Sequence, residues 1–296
     1  MYHLQRGDYI VSEQRGILYV VATPIGNLGD ITLRAKEVLA SVDLVAAEDT
    51  RHSRKLLTRL GLEKKLISLH EHNEIARIPK IIQLLDAGHC VALISDAGTP
   101  LLSDPGYRLL KAVREQGLRA VPIPGPSALT AALSIAGLPT DRFVFEGFLP
   151  AKSAARTTHL KTLLAEPRTM VFYEAPHRLQ KVLDDMAQIL GGDRLACLAR
   201  ELTKKYETVY HGSLDELAAR AKRESDMGRG ELVIVISGAD GAVTTTRAQD
   251  VSALLNELLT ELPPARAARI ASRVSGLPRR EVYALATRLA GEKRRQ

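Results

Sequence analysis

Ile17-Leu18-Tyr19-Val20-Val21-Ala22 runs straight into Thr23-Pro24-Ile25-Gly26-Asn27-Leu28-Gly29-Asp30. Six apolar or β-branched residues are too few for a buried helix and suit a strand covered on both faces. The loop that follows holds two glycines, where a ligand could approach the backbone closely, and Asp30 is placed to cap a helix running to about residue 41. A buried strand, a tight loop and a helix open a parallel α/β layer, and such sheets bind ligands beyond the carboxyl ends of their strands.

The pattern repeats outward from there. Residues 44–47, 66–69, 90–95 and 120–123 are further short apolar strands, separated by helical stretches at 50–60, 74–86 and 107–116 with Gly61, Gly88 and Gly117 at their ends. After the break at 137–141, strands are expected at 143–146, 169–173, 195–199, 207–211 and 231–237, with helices at 154–164, 179–190 and 214–222. Their density predicts a second α/β domain with a mixed sheet. Residues 238–246, rich in Gly, Ala and Thr, read as a linker to a helical terminus. The expected organisation is a flexible tail over 1–15, α/β domains over 16–138 and 142–238, and a basic helical module over 247–296.

In that module Ile270, Val274 and Leu277 recur at helical spacing, as do Val282, Leu285, Ala286 and Leu289, with Ser275-Gly276-Leu277-Pro278 as the turn. Two helices joined by a glycine-containing turn fit a helix-turn-helix-like unit, and equally a plain helical hairpin. Arg266, Arg269 and Arg273 fall away from the first apolar stripe, and Arg279 and Arg280 open the next helix.

The chain of 296 residues has a net charge of +7, and residues 262–296, with nine basic and two acidic side chains, carry all of it. Residues 1–261 hold 32 of each sign. A basic patch confined to one terminus points to a polyanion, nucleic acid before others, against a merely solubilising tail. Cys90 and Cys197 sit apart inside apolar runs and read as reduced core residues of a cytoplasmic protein. The first sixteen residues lack the apolar region of a signal peptide. Residues 120–140 are uncharged, but four prolines exclude a spanning helix. No membrane role is expected, and no metal: His70 and His72 in a polar loop are ordinarily solvated or hydrogen-bonded.

Two more loops follow apolar strands in the same way: Ser95-Asp96-Ala97-Gly98-Thr99-Pro100, continuing to Gly106, and Pro124-Gly125-Pro126-Ser127-Ala128. Three such loops suggest one crevice. None supplies Lys or Arg for a phosphate, and neither G-x-G-x-x-G nor G-x-x-x-x-G-K-[ST] occurs, so the ligand should be neutral or cationic rather than a nucleotide phosphate.

These loops, together with Glu48-Asp49-Thr50-Arg51-His52, His70-Glu71-His72-Asn73, Tyr173-Glu174-Ala175-Pro176-His177-Arg178 and Arg200-Glu201-Leu202-Thr203-Lys204, resemble the tetrapyrrole-methylase superfamily over about residues 16–290. The likeness is to its ribosomal-RNA branch, since the first loop lacks the richer glycine pattern of tetrapyrrole-directed relatives. The resemblance implies an S-adenosylmethionine-dependent homodimer that methylates the 2′-hydroxyl of a cytidine in the decoding region of 16S rRNA, in the small ribosomal subunit. By position it implies cofactor contacts at Pro24, Ile25, Gly26, Asp96, Thr99, Ser127, Ala128 and Tyr173.

A ribose hydroxyl needs a base or a cation near the forming alkoxide. Glu201 and Lys204 are the candidates for that role, with Arg51, Arg178 and Arg200 candidates for holding RNA alongside the terminal arginines. Glu174 and Arg178, at i,i+4 spacing, equally suit a structural ion pair. A tetrapyrrole methylase is the alternative enzyme, although eight Tyr, four Phe and no Trp offer little to stack a macrocycle. A non-enzymatic nucleic-acid-binding regulator is the third reading. Removing residues 247–296 separates them: the RNA-methylase reading expects cofactor binding to persist in calorimetry while RNA affinity falls, and the regulator reading expects no cofactor binding with or without the module.

Overall fold

In the computed structural model, which describes residues 15–239, 242–275 and 277–293, β1 (Ile17–Val21) lies between β4 (Val91–Ile94) and β5 (Arg119–Ile123). With β2 (Leu44–Ala47) and β3 (Leu66–Ser68) they form a parallel sheet in the order β3-β2-β4-β1-β5. All four residues of β4 are buried because helices cover both faces. Leu18, Val91 and Leu93 pack against α3 (Glu74–Asp86) and α4 (Tyr107–Glu115). Val21, Ala92 and Ile94 pack against α1 (Leu33–Ser41) and α2 (Thr50–Arg59). The strand period of two thus feeds two cores from one run of sequence.

The second sheet has the order β6-β7-β10-β8-β9, from β6 (Phe143–Phe148), β7 (Thr169–Glu174), β8 (Leu195–Arg200), β9 (Thr208–Ser213) and β10 (Leu232–Ile236). Only β6 and β7 run parallel, so the sheet is mixed as expected. One face carries α6 (Ser153–Thr162), α7 (Leu179–Leu190) and α8 (Leu214–Arg223) over a core containing Phe172, Leu183, Leu198 and Ile234. The other face, with Val171, Cys197, Ala199, Val233 and Val235, receives Leu129, Ala132 and Leu133 of α5 (Ala128–Ile135), and Ile25 from the first loop. This seam joins the two sheets.

Several local expectations are corrected. Asp30 does not cap α1: it ends a short 3-10 turn, and Thr32 caps instead, its hydroxyl accepting the Ala35 amide at 3.1 Å. Residues 242–246 are not linker but the start of α9 (Ala242–Glu261), because Ala and Thr tolerate a helix once its later turns have a face to bury. The terminal module therefore has three helices, α9, α10 (Pro264–Ser275) and α11 (Arg279–Lys293). Its first stripe is also shifted. α10 buries Ala267, Ala268 and Ala271, while Val274 is 71% exposed. The small side chains let α10 lie close to Val251 and Leu255 of α9 and to Val282 and Ala286 of α11. Arg266, Arg269, Arg273, Arg279 and Arg280 are all exposed. Of the expected N-terminal tail, residues 1–14 lie outside the described residues. Among the described residues no helix is long and apolar enough to cross a membrane.

Ala132 is fully buried at the seam. Ala132→Leu should lower stability by about 1–3 kcal/mol through overpacking, measured by urea denaturation, and should also weaken ligand binding in the adjoining crevice, which overpacking on the far side of the second sheet should not.

Candidate active site

The three loops after β1, β4 and β5 are tied into one structure. Thr23 and Gly98 exchange backbone hydrogen bonds of 2.9 and 3.0 Å. The Thr99 hydroxyl donates to the Pro126 carbonyl at 3.0 Å. Gly98, at φ +83°, adopts a conformation that disfavours any side chain, and a Cβ there would stand 3.3 Å from Ile25 Cγ2. Pro124-Gly125-Pro126 then delivers Ser127 to the start of α5, where its side chain makes no cap bond and its hydroxyl is buried without a hydrogen-bond partner among the described residues.

A cavity of about 370 Å³ opens between these loops and the second sheet. Its walls include Ile25, Thr99, Ser127, Ala128 and Tyr173, five of the eight residues expected to bind a cofactor. Phe145 and Phe148 pack edge-on to Tyr173, with ring centroids 4.9 and 5.7 Å away. Pro24, Gly26 and Asp96 are not among the residues that line the cavity. Asp96 accepts the Asp49 amide at 3.1 Å and so braces the turn between β2 and α2. Gly26 lets the first loop meet residues 203 and 204: a Cβ there would fall 2.3 Å from Lys204 Cγ, and the Asn27 amide donates to the Thr203 hydroxyl at 3.1 Å.

Glu201 and Lys204 come together at the rim. Lys204 Nζ lies 2.9 Å from Glu201 Oε1 and 3.0 Å from Glu231 Oε1, and Glu231 lines the cavity. Burial favours the neutral forms of both Glu201 and Lys204. For Glu201 the Glu231 amide and Lys204 outweigh it and hold the carboxyl below its ordinary value. For Lys204 the two glutamates outweigh it and push the ammonium upward. Glu201 is thus a firmly ionised anchor for a fixed cation, and a poor proton acceptor. Among the described residues, the non-glycine positions in left-handed conformations are Leu101, Ser103, Glu201 and Thr203, all in the two loops that flank the cavity. Such strain persists only where surrounding contacts enforce it.

Arg178 and Arg200 are engaged within the protein. Arg178 Nε lies 3.0 Å from Glu174 Oε1, and its Nη2 donates to the Leu149 carbonyl at 2.6 Å. Arg200 donates to the Arg229 and Tyr206 carbonyls at 2.9 and 3.0 Å. Both guanidinium groups tie walls of the crevice together. Arg51 is exposed at the first turn of α2.

Sequence reasoning did not single out Asp104, which joins Glu48, Asp49 and Asp96 in a group of carboxylates. Asp104, on the cavity wall, is raised to about 6 by burial, partly offset by a Ser95 hydrogen bond, with Asp96 adding repulsion. Glu48, beyond the end of β2, is raised to about 7 by burial and then by Asp104, Asp96 and Asp49. For Asp104 a signal was present, since it lies in the quoted loop that follows the apolar run at 90–95. Residues 230–233 were missed for a topological reason. The rule about carboxyl ends suits parallel sheets, but β10 is antiparallel to β7 and β8, with Leu232 opposite both Glu174 and Arg200. The start of β10 therefore reaches the same crevice.

The family model for Tetrapyrrole (Corrin/Porphyrin) Methylases matches residues 17–218, and that for the RsmI C-terminal HTH domain matches residues 245–290. The chain is 50% identical over 270 residues to a Ribosomal RNA small subunit methyltransferase I of Xylella fastidiosa, covering 90% of this chain and 98% of the relative. It is 47% identical over 277 residues to the protein of that name from Escherichia coli O157:H7, covering 94% and 96%. Among solved structures, the methyltransferase CobJ superposes with a TM-score of 0.57 at 19% identity, over 76% of this chain and 95% of its own. Uroporphyrin-III C-methyl transferase from Thermus thermophilus complexed with S-adenyl homocysteine superposes at 0.53 and 18%, over 75% and 97%. These last two share the fold.

The ordinary pKa of Glu48 is 4.5, so its raised folded value means that the fold disfavours the ionised form. The associated stability is complete below pH 4.5 and is lost as pH rises through about 7. Glu48→Gln should therefore gain thermal stability over the parent as pH increases from 5 to 8. A gap in Tm that does not change across that range would show that Glu48 titrates normally.

Proposed function

Because the chain belongs to the tetrapyrrole (corrin/porphyrin) methylase family and ends in that RNA-directed relative's terminal module, we infer that it is an S-adenosylmethionine-dependent methyltransferase of 16S rRNA, acting on a cytidine 2′-hydroxyl. The observation that carries the reading is the conjunction of a carboxylate-walled cavity free of basic phosphate ligands with an exposed arginine face on a separate helical module.

The cavity suits the cofactor. An apolar wall of Ile25, Ala128, Leu202 and Val233 fits an uncharged heterocycle, the hydroxyls of Thr99, Ser127 and Tyr173 supply hydrogen bonds, and Asp104 favours a cation. S-Adenosylmethionine supplies a methyl already activated by its sulfonium, so the protein's main contribution is positioning. Pro24, Gly26 and Asp96 shape the loops. Lys204, fixed between Glu201 and Glu231, is proposed to stabilise the alkoxide that forms as the 2′-hydroxyl is deprotonated. Glu201 is refined from candidate base to positioning residue for that ammonium. The proton acceptor we propose is Asp104, which lines the cavity and whose pKa of about 6 leaves it ionised yet appreciably basic at neutral pH. Arg51, Arg266, Arg269, Arg273, Arg279 and Arg280 are proposed to hold RNA phosphates, while Arg178 and Arg200 hold the site's walls. We propose a homodimer on the family resemblance, and a cytoplasmic location on the ribosomal substrate.

Small subunits lacking the modification, incubated with methyl-labelled S-adenosylmethionine, should gain label at one cytidine ribose. Asp104→Asn should lower the single-turnover rate by about 10²–10⁴-fold, with S-adenosylhomocysteine affinity retained and the rise of rate with pH through about 6 removed. No incorporation into any form of the RNA by the parent overturns the reading. A parent-like rate for Asp104→Asn overturns the proton acceptor alone.

A further inference from the structure

The balanced charge of residues 1–261 conceals a second polarity. Residues 50–80 carry eight basic and three acidic side chains. One of the acids, Glu74, is buried and accepts the Leu109 amide at 2.9 Å. Arg54, Lys55, Arg59, Lys65, Arg77 and Lys80 are exposed and ion-pair with no acid among the described residues. Elsewhere in the α/β body some basic side chains are neutralised by an acid, as Arg156, Arg168, Arg178, Lys204 and Arg220 are. Lys65, Arg77 and Lys80, with Thr50 and Ser68, line an open groove of about 560 Å³ beside β3, the outermost strand of the parallel sheet. Thr50 follows Glu48 and Asp49 directly, so one end of the groove lies beside the carboxylates of the crevice.

Two plainer explanations account for less. A lysine on an edge strand discourages pairing with another sheet, which would explain Lys65 but not Arg77 and Lys80 across the groove on α3. A solvated helix face ordinarily mixes charges of both signs, and here the groove wall has no acid.

We propose that this groove is a second RNA-contacting surface, taking phosphates of the rRNA strand that flanks the nucleotide held in the cavity. The proposal rests on the rRNA-methyltransferase reading and adds to it a contact independent of the terminal module. Unpaired cations concentrated beside the mouth of an anionic cavity give the strand's backbone a place to lie while its target ribose enters.

The test is the full-length variant Lys65→Gln, Arg77→Gln, Lys80→Gln, compared with Lys36→Gln, Arg114→Gln, Arg119→Gln, which removes the same charge from exposed positions elsewhere. The groove variant should keep the parent's Tm and S-adenosylhomocysteine affinity. Its affinity for rRNA extracted from small subunits should fall at least tenfold. The slope of log affinity against log salt should shrink by about two, at roughly 0.7 per single-strand phosphate contact. The control variant should show neither change. A groove variant with parental affinity and salt slope overturns the proposal while leaving the methyltransferase reading intact. Weakened binding to assembled subunits with unchanged binding to the extracted rRNA assigns the groove to a ribosomal protein and also overturns it. Failure of the parent to methylate any RNA removes both readings.

Discussion

The packing of α5 and Ile25 onto the inner face of the second sheet is the contact on which the site depends. Val171, Cys197, Ala199, Val233 and Val235 would otherwise face water, and the first sheet offers them Leu129, Ala132 and Leu133. At roughly 25 cal/mol per Å² of apolar surface removed from water, burying these side chains favours the closed seam. The seam also aligns things that have nothing to do with stability. Ser127 and Ala128 immediately precede the seam residues of α5, so packing the helix places both on the wall of the cavity that Tyr173 also lines. Ile25, as the apolar tip of the first loop, pins that loop between Gly98 and the second sheet. Burial of apolar surface, which has no directional preference, thereby fixes the positions of directional groups.

The electrostatics of the cavity follow from the same geometry. Closing two sheets over the ends of their strands withdraws Glu48 and Asp104 from water and places Asp96 and Asp49 beside them. Each carboxylate is then harder to ionise, and a cationic ligand relieves both burial and mutual repulsion. At the rim Lys204 is held between two glutamates, Glu201 and Glu231, so its ammonium is fully paired. The crevice thus holds buried carboxylates in its interior and a fixed ammonium at its edge, two environments suited to different parts of a methyl-transfer reaction.

The alternation of apolar runs and helical stretches was legible, and so was the convergence of three loops, because strand period and burial on both faces leave their mark in single residues such as those of β4. Less legible were features set by partners distant in sequence. The alanine face of α10 could not outcompete Ile270 and Val274 in a reading of hydrophobicity, since its burial depends on how closely α9 and α11 approach. The start of β10 carries the run Gly228-Arg229-Gly230-Glu231, yet only antiparallel pairing with β7 and β8 brings it to the site. Arg200 looked free in the sequence because its acceptors are backbone carbonyls, which no pattern of side chains reveals, whereas the i,i+4 spacing of Glu174 and Arg178 did point to the ion pair they form.

The distribution of charge bears on selectivity as much as on affinity. A phosphate entering the cavity would meet Asp104 and its neighbours with no basic side chain on the cavity wall to offset them. Under physiological salt, fields between exposed charges decay over about 8 Å, so cations on the helical module or along β3 attract a polyanion to the surface without making the cavity itself hospitable to it. Discrimination then comes from repulsion as well as from fit. The backbone is held outside while an uncharged ribose and base enter, and the interior keeps its preference for a cation. A uniformly basic surface would bind RNA at least as tightly, but it would lose this division, because the same charges that gather phosphates would compete for the carboxylates that the methyl donor needs.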